Sequence, residues 1–359
     1  MKKILAVILA LLMVFGLLAG CGSEKPEESK EESKQESKEE SKEESKEEIN
    51  TDGAMIAVCM GSINHPVHRI VQVSFFQRAQ ELGYVGILSG LDEGSLQEMI
   101  TKFESAITNG AVGCLIWTGD DSMYEFMRTY SEDCKFVVPH FAHDYADTKD
   151  FIGRNITCLA ASYGKEAADF VMSELEKKGV TSGTLAITQS GANITENACA
   201  DAFRSQIANS GSAFKVADVV FEGLEITEAT NKCTAIITST PDIVGAFGTT
   251  GGSCQSWAAA MQGTGKSDLV VCGVDYIEKN IELVENGTIS GLVAQPLYVE
   301  AQESVNSLDE MLHGKDFSAS EDEWFLELDA PVAYVGGEGD HDIASYKPII
   351  DMVKEYFEE

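Results

Sequence analysis

Basic residues are scarce in this 359-residue chain. Only 26 Lys and Arg stand against 59 Asp and Glu, a formal net charge of −33. Residues 22–50 hold twelve Glu and six Lys, and the first twenty only Lys2 and Lys3, so most of the negative charge falls on the rest. Such a surface excludes nucleic-acid binding, which needs clustered cations, and disfavours adsorption to anionic lipid. Net charge bears on solubility and names neither fold nor ligand. Catalytic motifs are missing too: there is no Gly-x-Ser-x-Gly elbow and no His-Glu-x-x-His. The scattered cysteines match no zinc spacing. Gly263-Thr264-Gly265-Lys266-Ser267 looks like the end of a P-loop, but Ala260 stands where the first glycine belongs and a helical pattern leads in. A phosphate cradle needs that glycine and a preceding strand, so the stretch reads as a helix-ending turn.

The beginning of the chain reads as targeting sequence. Lys2-Lys3 precede an apolar run from Ile4 to Leu18, too short for a comfortable membrane span. It closes on Leu18-Ala19-Gly20-Cys21, which resembles the bacterial lipobox. That resemblance implies a signal peptide over residues 1–20 and a lipid on the Cys21 thiol, anchoring the mature protein to the membrane. Residues 21–53 then read as a tether. Glu-Glu-Ser-Lys recurs from Glu27 to Glu48 with nothing that can build a core.

From about Ala54 the pattern alternates short β-branched runs with helical stretches. Strands are expected at Met55–Met60, Val85–Leu88, Val112–Trp117, Phe136–Val138, Thr184–Thr188, Val216–Phe221, Ile243–Phe247, Leu269–Val274 and Ser290–Ala294. Helices are expected at Arg69–Leu82, Ser95–Asn109, Ser122–Ser131, Leu159–Lys178, Glu196–Asn209, Glu228–Ser239, Gln255–Gln262, Glu278–Glu285, Leu297–His313 and Lys347–Phe357. Several stop at a glycine, as C-caps require. Strands separated by helices of this length mean right-handed βαβ units, an α/β fold with parallel sheets. There are too many strands for one modest sheet, and they divide into two halves near Asn155–Thr157. The Leu269 run ends abruptly at Asp275. Ligands of such sheets bind beyond the carboxyl ends of the strands, so Asp275 is expected at the rim of a cleft.

The body resembles the type I periplasmic sugar-binding proteins of the ribose-binding kind, whose fold is shared by the effector domains of LacI-type repressors. The resemblance rests on Ile56-Ala57-Val58 with Asn64-His65-Pro66, on Ala79-Gln80-Glu81-Leu82-Gly83-Tyr84, and on Pro241 to Phe247. Gly265-Lys266-Ser267-Asp268, Gly273-Val274-Asp275 and Ala294-Gln295-Pro296 complete it, all in order. It implies two doubly wound lobes joined by three crossovers, near Asn155, Gln295 and Asp329. Lobe one would hold residues 54–155 and 296–328, and lobe two residues 156–295 and 329–336. A C-terminal extension, 337–359, would end in a helix packed on a lobe.

The resemblance also implies a site. Asp275 and Gln295 keep the family's sugar-contacting residue types, a carboxylate that accepts and an amide that both donates and accepts. Other positions depart from the family. Val67 and His68 replace aromatics, Trp117 replaces an asparagine, His140-Phe141 replaces an Asp-Arg pair, and Thr250 replaces an asparagine. Asn197 or Cys199 falls where an arginine is expected, and this loss of cations argues against ribose itself. Trp117 is placed to stack on a sugar face or to fill the core. His65-x-x-His68 and His140-x-x-His143 follow first-lobe strands, where imidazoles can donate to a polar ligand, bind a metal or stay solvated. The expected protein is a monomeric, lipid-anchored binding protein on the outer face of a bacterial membrane. It takes a sugar-like solute for an ABC permease, without cofactor. A sensor serving a membrane histidine kinase or chemoreceptor is the alternative, and an extracytoplasmic enzyme a more distant one. A neighbouring permease favours the first, a neighbouring kinase the second, and turnover of the bound compound the third. Cys59, Cys114 and Cys272 read as core residues, with a disulfide left open among Cys158, Cys199, Cys233 and Cys254.

Overall fold

The structure, a computed structural model, describes residues 53–357. The expected signal segment, Cys21 and nearly all of the tether lie outside the described residues. The chain runs β1 (Met55–Gly61), α1 (Pro66–Glu81), β2 (Val85–Leu91), α2 (Leu96–Thr108), β3 (Ala111–Trp117), α3 (Tyr124–Tyr130), β4 (Lys135–Pro139), α4 (Tyr145–Thr148) and β5 (Arg154–Thr157). It continues α5 (Ala160–Lys177), β6 (Ser182–Gln189), α6 (Ile194–Asn209), β7 (Ala213–Val216), β8 (Val220–Phe221), α7 (Ile226–Ser239), β9 (Ile243–Gly248), α8 (Ser253–Thr264), β10 (Val270–Val274), α9 (Glu278–Glu285) and β11 (Gly291–Val293). Last come α10 (Leu297–Leu312), α11 (Glu321–Trp324), β12 (Phe325–Glu327), β13 (Val332–Ala333) and α12 (Lys347–Phe357). None of the described helices is long and apolar enough to cross a membrane.

Two sheets result. The first has the order β12-β5-β4-β3-β1-β2 and is parallel throughout. The second has the order β13-β11-β10-β9-β6-β7, with β8 also pairing β6 and β13 alone antiparallel. Each is doubly wound, and we call each sheet with its helices a lobe. The strand order reverses between β1 and β3 in lobe one and between β6 and β9 in lobe two. Those switch points open crevices at the carboxyl ends of the strands, where ligands of such sheets sit. The chain passes between sheets three times: after β5, between β11 and α10, and between β12 and β13.

The apolar pattern explains the layering. The strand interiors Ile56–Met60, Cys114–Ile116 and Val270–Val274 are buried on both faces, as parallel strands between helices must be. Phe103 and Ile107 of α2 and Phe126 of α3 cover one face of the first sheet, and α1 and α10 the other. In lobe two, α5 and α6 pack closely because Gly164 has no side chain. A Cβ there would stand 2.0 Å from the Cys199 carbonyl oxygen. Helix α2 starts at Ser95 with a capping box, the Glu98 carboxylate accepting the Ser95 N–H at 2.8 Å. Helix α8 stops at Gly265, which takes φ +69° as its C-cap, so the P-loop-like segment is a helix end.

Some elements differ from expectation. The Val216–Phe221 run is two strands, β7 and β8, interrupted around exposed Asp218. Strands β5 and β12 are too short to show a period and pair with each other, Asn155 opposite Phe325. The last strand is Val332–Ala333, within the 329–336 segment expected to return to lobe two. Helix α12 packs against helices of both lobes. Tyr356 stacks on Phe76 of α1, with centroids 5.6 Å apart, and Lys347 reaches Glu285 of α9 at 2.9 Å. The eight described cysteines are buried free thiols, the four left open for a disulfide included.

Candidate ligand-binding site

Each lobe brings a different chemistry to the carboxyl ends of its strands. In lobe one, Trp117 ends β3 and His140 follows β4. Their rings stack with centroids 4.6 Å apart and planes 17° from parallel. His68, in the first turns of α1, meets Trp117 edge-on at 5.8 Å, and Phe141 does so at 6.2 Å. The His68 Nδ1 lies 3.0 Å from the Gly61 carbonyl and 2.9 Å from that of Ser62. With only acceptors around it, Nδ1 carries the proton, and burial lowers the tendency of the ring to take a second. Burial lowers the pKa of the more exposed His65 as well. The result is an aromatic wall of indole and imidazole.

In lobe two, Asp275 follows β10 and is 6% exposed. Gln295, at the second passage between the lobes, donates from Nε2 to its Oδ1 at 2.5 Å. Asn280 fixes the turn, its side-chain N–H groups reaching the carbonyls of Asp275 at 3.0 Å and Gly251 at 2.9 Å. A Cβ on Gly251 would stand 2.5 Å from the Asp275 carboxylate, so a side chain here would displace that carboxylate. Burial pushes the Asp275 carboxyl up to about 6, against the lowering effects of His140 across the site and of the Gln295 hydrogen bond. Glu196 joins the switch point. Its carboxylate accepts from the Ser190 N–H at 2.7 Å, the Asn193 amide at 2.7 Å and the Thr249 hydroxyl at 2.6 Å. Beneath the Gly248–Gly252 loop, buried Glu222 accepts from Ser253 and Ser256, and burial raises its pKa.

Three non-glycine residues among those described have positive φ: Ser62 at 48°, His140 at 75° and Asp275 at 68°. All three follow the carboxyl end of a strand. The left-handed region costs such residues about 1–2 kcal/mol each, and such strain gathers at functional sites.

A cavity of about 730 Å³ lies here. Its wall is made by Gly119, His140 and Phe141 of lobe one, Cys158 at the first passage, and Tyr163 and Asn193 of lobe two. Of the residues expected from sequence, the structure brings His140, Trp117, His68 and His65 into one ring group and pairs Gln295 with Asp275, whose carboxylate feels the charge of His140; of these six, His140 lines the cavity. Thr250 stands in the turn that starts α8, its carbonyl accepting the Ser253 N–H at 2.9 Å. Asn197 lies exposed on α6, outside the cavity lining, which holds Asn193 and Ala198 instead. His143 is engaged elsewhere, with Tyr124 at 2.8 Å and the Thr118 carbonyl at 3.2 Å. Among the described residues, no cluster of His, Cys, Asp or Glu is arranged to hold a metal ion.

Sequence reasoning missed Glu300, fully buried on α10, whose Oε2 lies 3.2 Å from the His140 Nδ1. The signal was a lone acid on the apolar stripe of Leu297, Ala301 and Leu308. It also missed Tyr163 and Gln189, both nearly inaccessible to solvent.

A two-lobed α/β chain with an aromatic wall at the strand ends of one lobe and a buried carboxylate at those of the other has the build of a protein that holds a solute between its lobes. The chain belongs to the periplasmic binding protein domain family, whose model matches residues 56–316. That is a family of solute-binding proteins, not enzymes, and its members work outside the cytoplasm. Among solved structures, the fold is similar to a sugar ABC transporter sugar-binding protein from Bacillus halodurans, with 16% identity, TM-score 0.70, and 82% of this chain and 99% of that chain covered. It is also similar to AraP, an arabinose-binding protein from Geobacillus stearothermophilus, with 16% identity, TM-score 0.69 and coverage of 82% and 99%. A third is a carbohydrate transporter solute-binding protein from Agrobacterium radiobacter, solved with D-arabinose, with 18% identity, TM-score 0.68 and coverage of 82% and 98%.

Proposed function

We propose that this protein captures a sugar or sugar-like solute between its lobes and delivers it to an ABC permease, held to the outer face of the cell membrane by a lipid on Cys21. The observation that carries the reading is the presence of a buried carboxylate in one lobe, Asp275 bonded by Gln295, and of the stacked Trp117–His140 pair in the other, with His140 close enough to act on the Asp275 charge. A sugar ring has an apolar C–H face that rests on an aromatic wall and a rim of hydroxyls that donate to a carboxylate. Two lobes linked by three strands of chain can hinge shut, and closure gives a permease a distinct face to recognise. The three similar structures are a sugar-binding, an arabinose-binding and a carbohydrate transporter protein, in keeping with this class of solute. His65, His68, His140 and Thr250 are proposed as further ligand contacts, with Asn197 at the margin. Residues 21–53 serve as the spacer between lipid and body, and the protein acts as a monomer.

Two experiments test this. Native mass spectrometry of protein purified without refolding, followed by melting curves with a panel of monosaccharides, should reveal at least one stabilising sugar. A panel without effect, alongside a co-purified compound that is not a polyol, would overturn the sugar reading. Cys21→Ser should leave the protein in the medium, and retention of that variant in the membrane fraction would overturn the anchor.

A further inference from the structure

We infer that the solute carries a cationic group, an ammonium on a polyhydroxylated frame, received by the buried carboxylates Glu300 and Asp275. This rests on the reading that the cleft takes a sugar-like compound.

Glu300 is fully buried, and its Oε2 lies against the His140 Nδ1. Its other oxygen, Oε1, is buried and has no hydrogen-bond partner. Other acids of the same region are treated differently. Glu222 is equally buried and accepts from Ser253, Ser256 and the Cys233 thiol. Glu196 accepts from Ser190, Asn193 and Thr249. A buried carboxylate oxygen without a donor is expensive, so an open one in a site suggests that its donor comes from outside. Glu300 lies directly behind the cavity wall, its Oε2 3.2 Å from the Nδ1 of His140, which lines it.

Charge makes the case specific. Asp275, with the Gln295 amide as its one side-chain donor, acts on the same His140 from the other lobe. One imidazole can neutralise at most one of the two carboxylates. No Lys or Arg lines the cavity, while Asp120 and Asp121 stand at its edge. Among the described residues, Glu300 has no ion pair except with His140. A phosphorylated or carboxylated sugar would therefore enter an acidic, cation-free pocket, and a neutral one would leave an excess negative charge uncompensated. An ammonium supplies both the missing charge and donors for Oε1.

The test is calorimetric titration of the purified protein at pH 7.5 with matched triplets: glucose, glucosamine and glucuronate, and the corresponding galactose set. The amine should bind at least about tenfold more tightly than the neutral parent in whichever stereochemistry binds, and the acid should not bind. In Glu300→Gln the amine-to-neutral ratio should fall to about twofold or less. Equal or tighter binding of a neutral or acidic member would overturn the charge inference and leave the sugar reading standing. No binding by any member of either set would overturn the ammonium inference, and the sugar reading would then be decided by the monosaccharide panel and the co-purified compound. If Glu300→Gln does not fold, the wild-type ratio alone decides.

Discussion

The two lobes share a topology and differ in the chemistry they bring to the cleft. Lobe one offers rings: Trp117 stacked on His140, with His68 and Phe141 at its edges. Lobe two offers acceptors and amides: Asp275 with Gln295, Glu196 with donors from Ser190, Asn193 and Thr249, and Gln189. The same βαβ framework supplies both because side chains just beyond the strand ends carry no duty in the sheet. A ring wall binds through shape and dispersion and also fills the core of its own lobe. A buried carboxylate is held at a cost to the empty protein and repaid only when a donor arrives. The faces should therefore respond to mutation in opposite ways.

The largest effect is expected in lobe one. Trp117→Ala removes a nearly buried indole and should lower apo stability by about 3–5 kcal/mol in urea denaturation. A loss under about 1 kcal/mol would mean that the wall serves the ligand alone. Asp275→Asn should behave in the opposite sense. Holding that carboxyl near 6 instead of its ordinary 3.8 costs the folded protein on the order of 3 kcal/mol at neutral pH, and asparagine tolerates the positive φ. Apo stability should therefore hold or rise, while affinity falls about tenfold or more with the charge-assisted hydrogen bonds. A variant that melts early with affinity intact would make Asp275 a structural residue.

pH separates the faces by sign. The folded pKa of Asp275 is raised, so its contribution is fully present below pH 3.8 and is lost as pH rises through about 6. The stability difference between wild type and Asp275→Asn should thus vanish near pH 4 and open through pH 6. Burial sets that raised pKa, with Glu196 adding to the rise and His140 and Gln295 opposing it. For His65 and His68 the folded pKa is lowered, so their contribution is present above pH 6.5 and lost as pH falls. His68→Asn should flatten that acid limb, and chemical denaturation from pH 4 to 8 checks both. The smallest effect concerns α12, which touches α1 through Phe76 and α9 through Glu278 and Glu285. Ile350 is its one buried residue, so removing residues 347–359 should cost about 1–2 kcal/mol. Separation of the melt into two transitions would show that this helix couples the lobes.

Much of the frame was legible because parallel strands announce themselves as apolar runs and helices as runs closed by glycine. The strand that ends at Asp275 and the helix Lys347–Phe357 follow from local pattern, whereas Gln295 was reached only through the family resemblance. Strands β5 and β12 escaped because three or four residues carry no period. The site was half legible. Position after a strand pointed to Asp275, Trp117 and His140, but nothing local says that Trp117 and His140 stack. Glu300 was hidden because periodicity identifies buried positions by their apolar residues, and an acid on that stripe looks like an error in the pattern. Its meaning appears only when His140, 160 residues earlier, is folded against it.

The account stands on the claim that a carboxylate of one lobe and a ring wall of the other hold one ligand. The most direct test is a pair of melting curves, with and without a stabilising sugar, for wild type and Asp275→Asn at equal ligand concentration. Wild type should gain stability as RT ln(1 + [L]/Kd), and the variant should lose most of that gain. Equal shifts in the two proteins would place Asp275 outside the site and contradict the account.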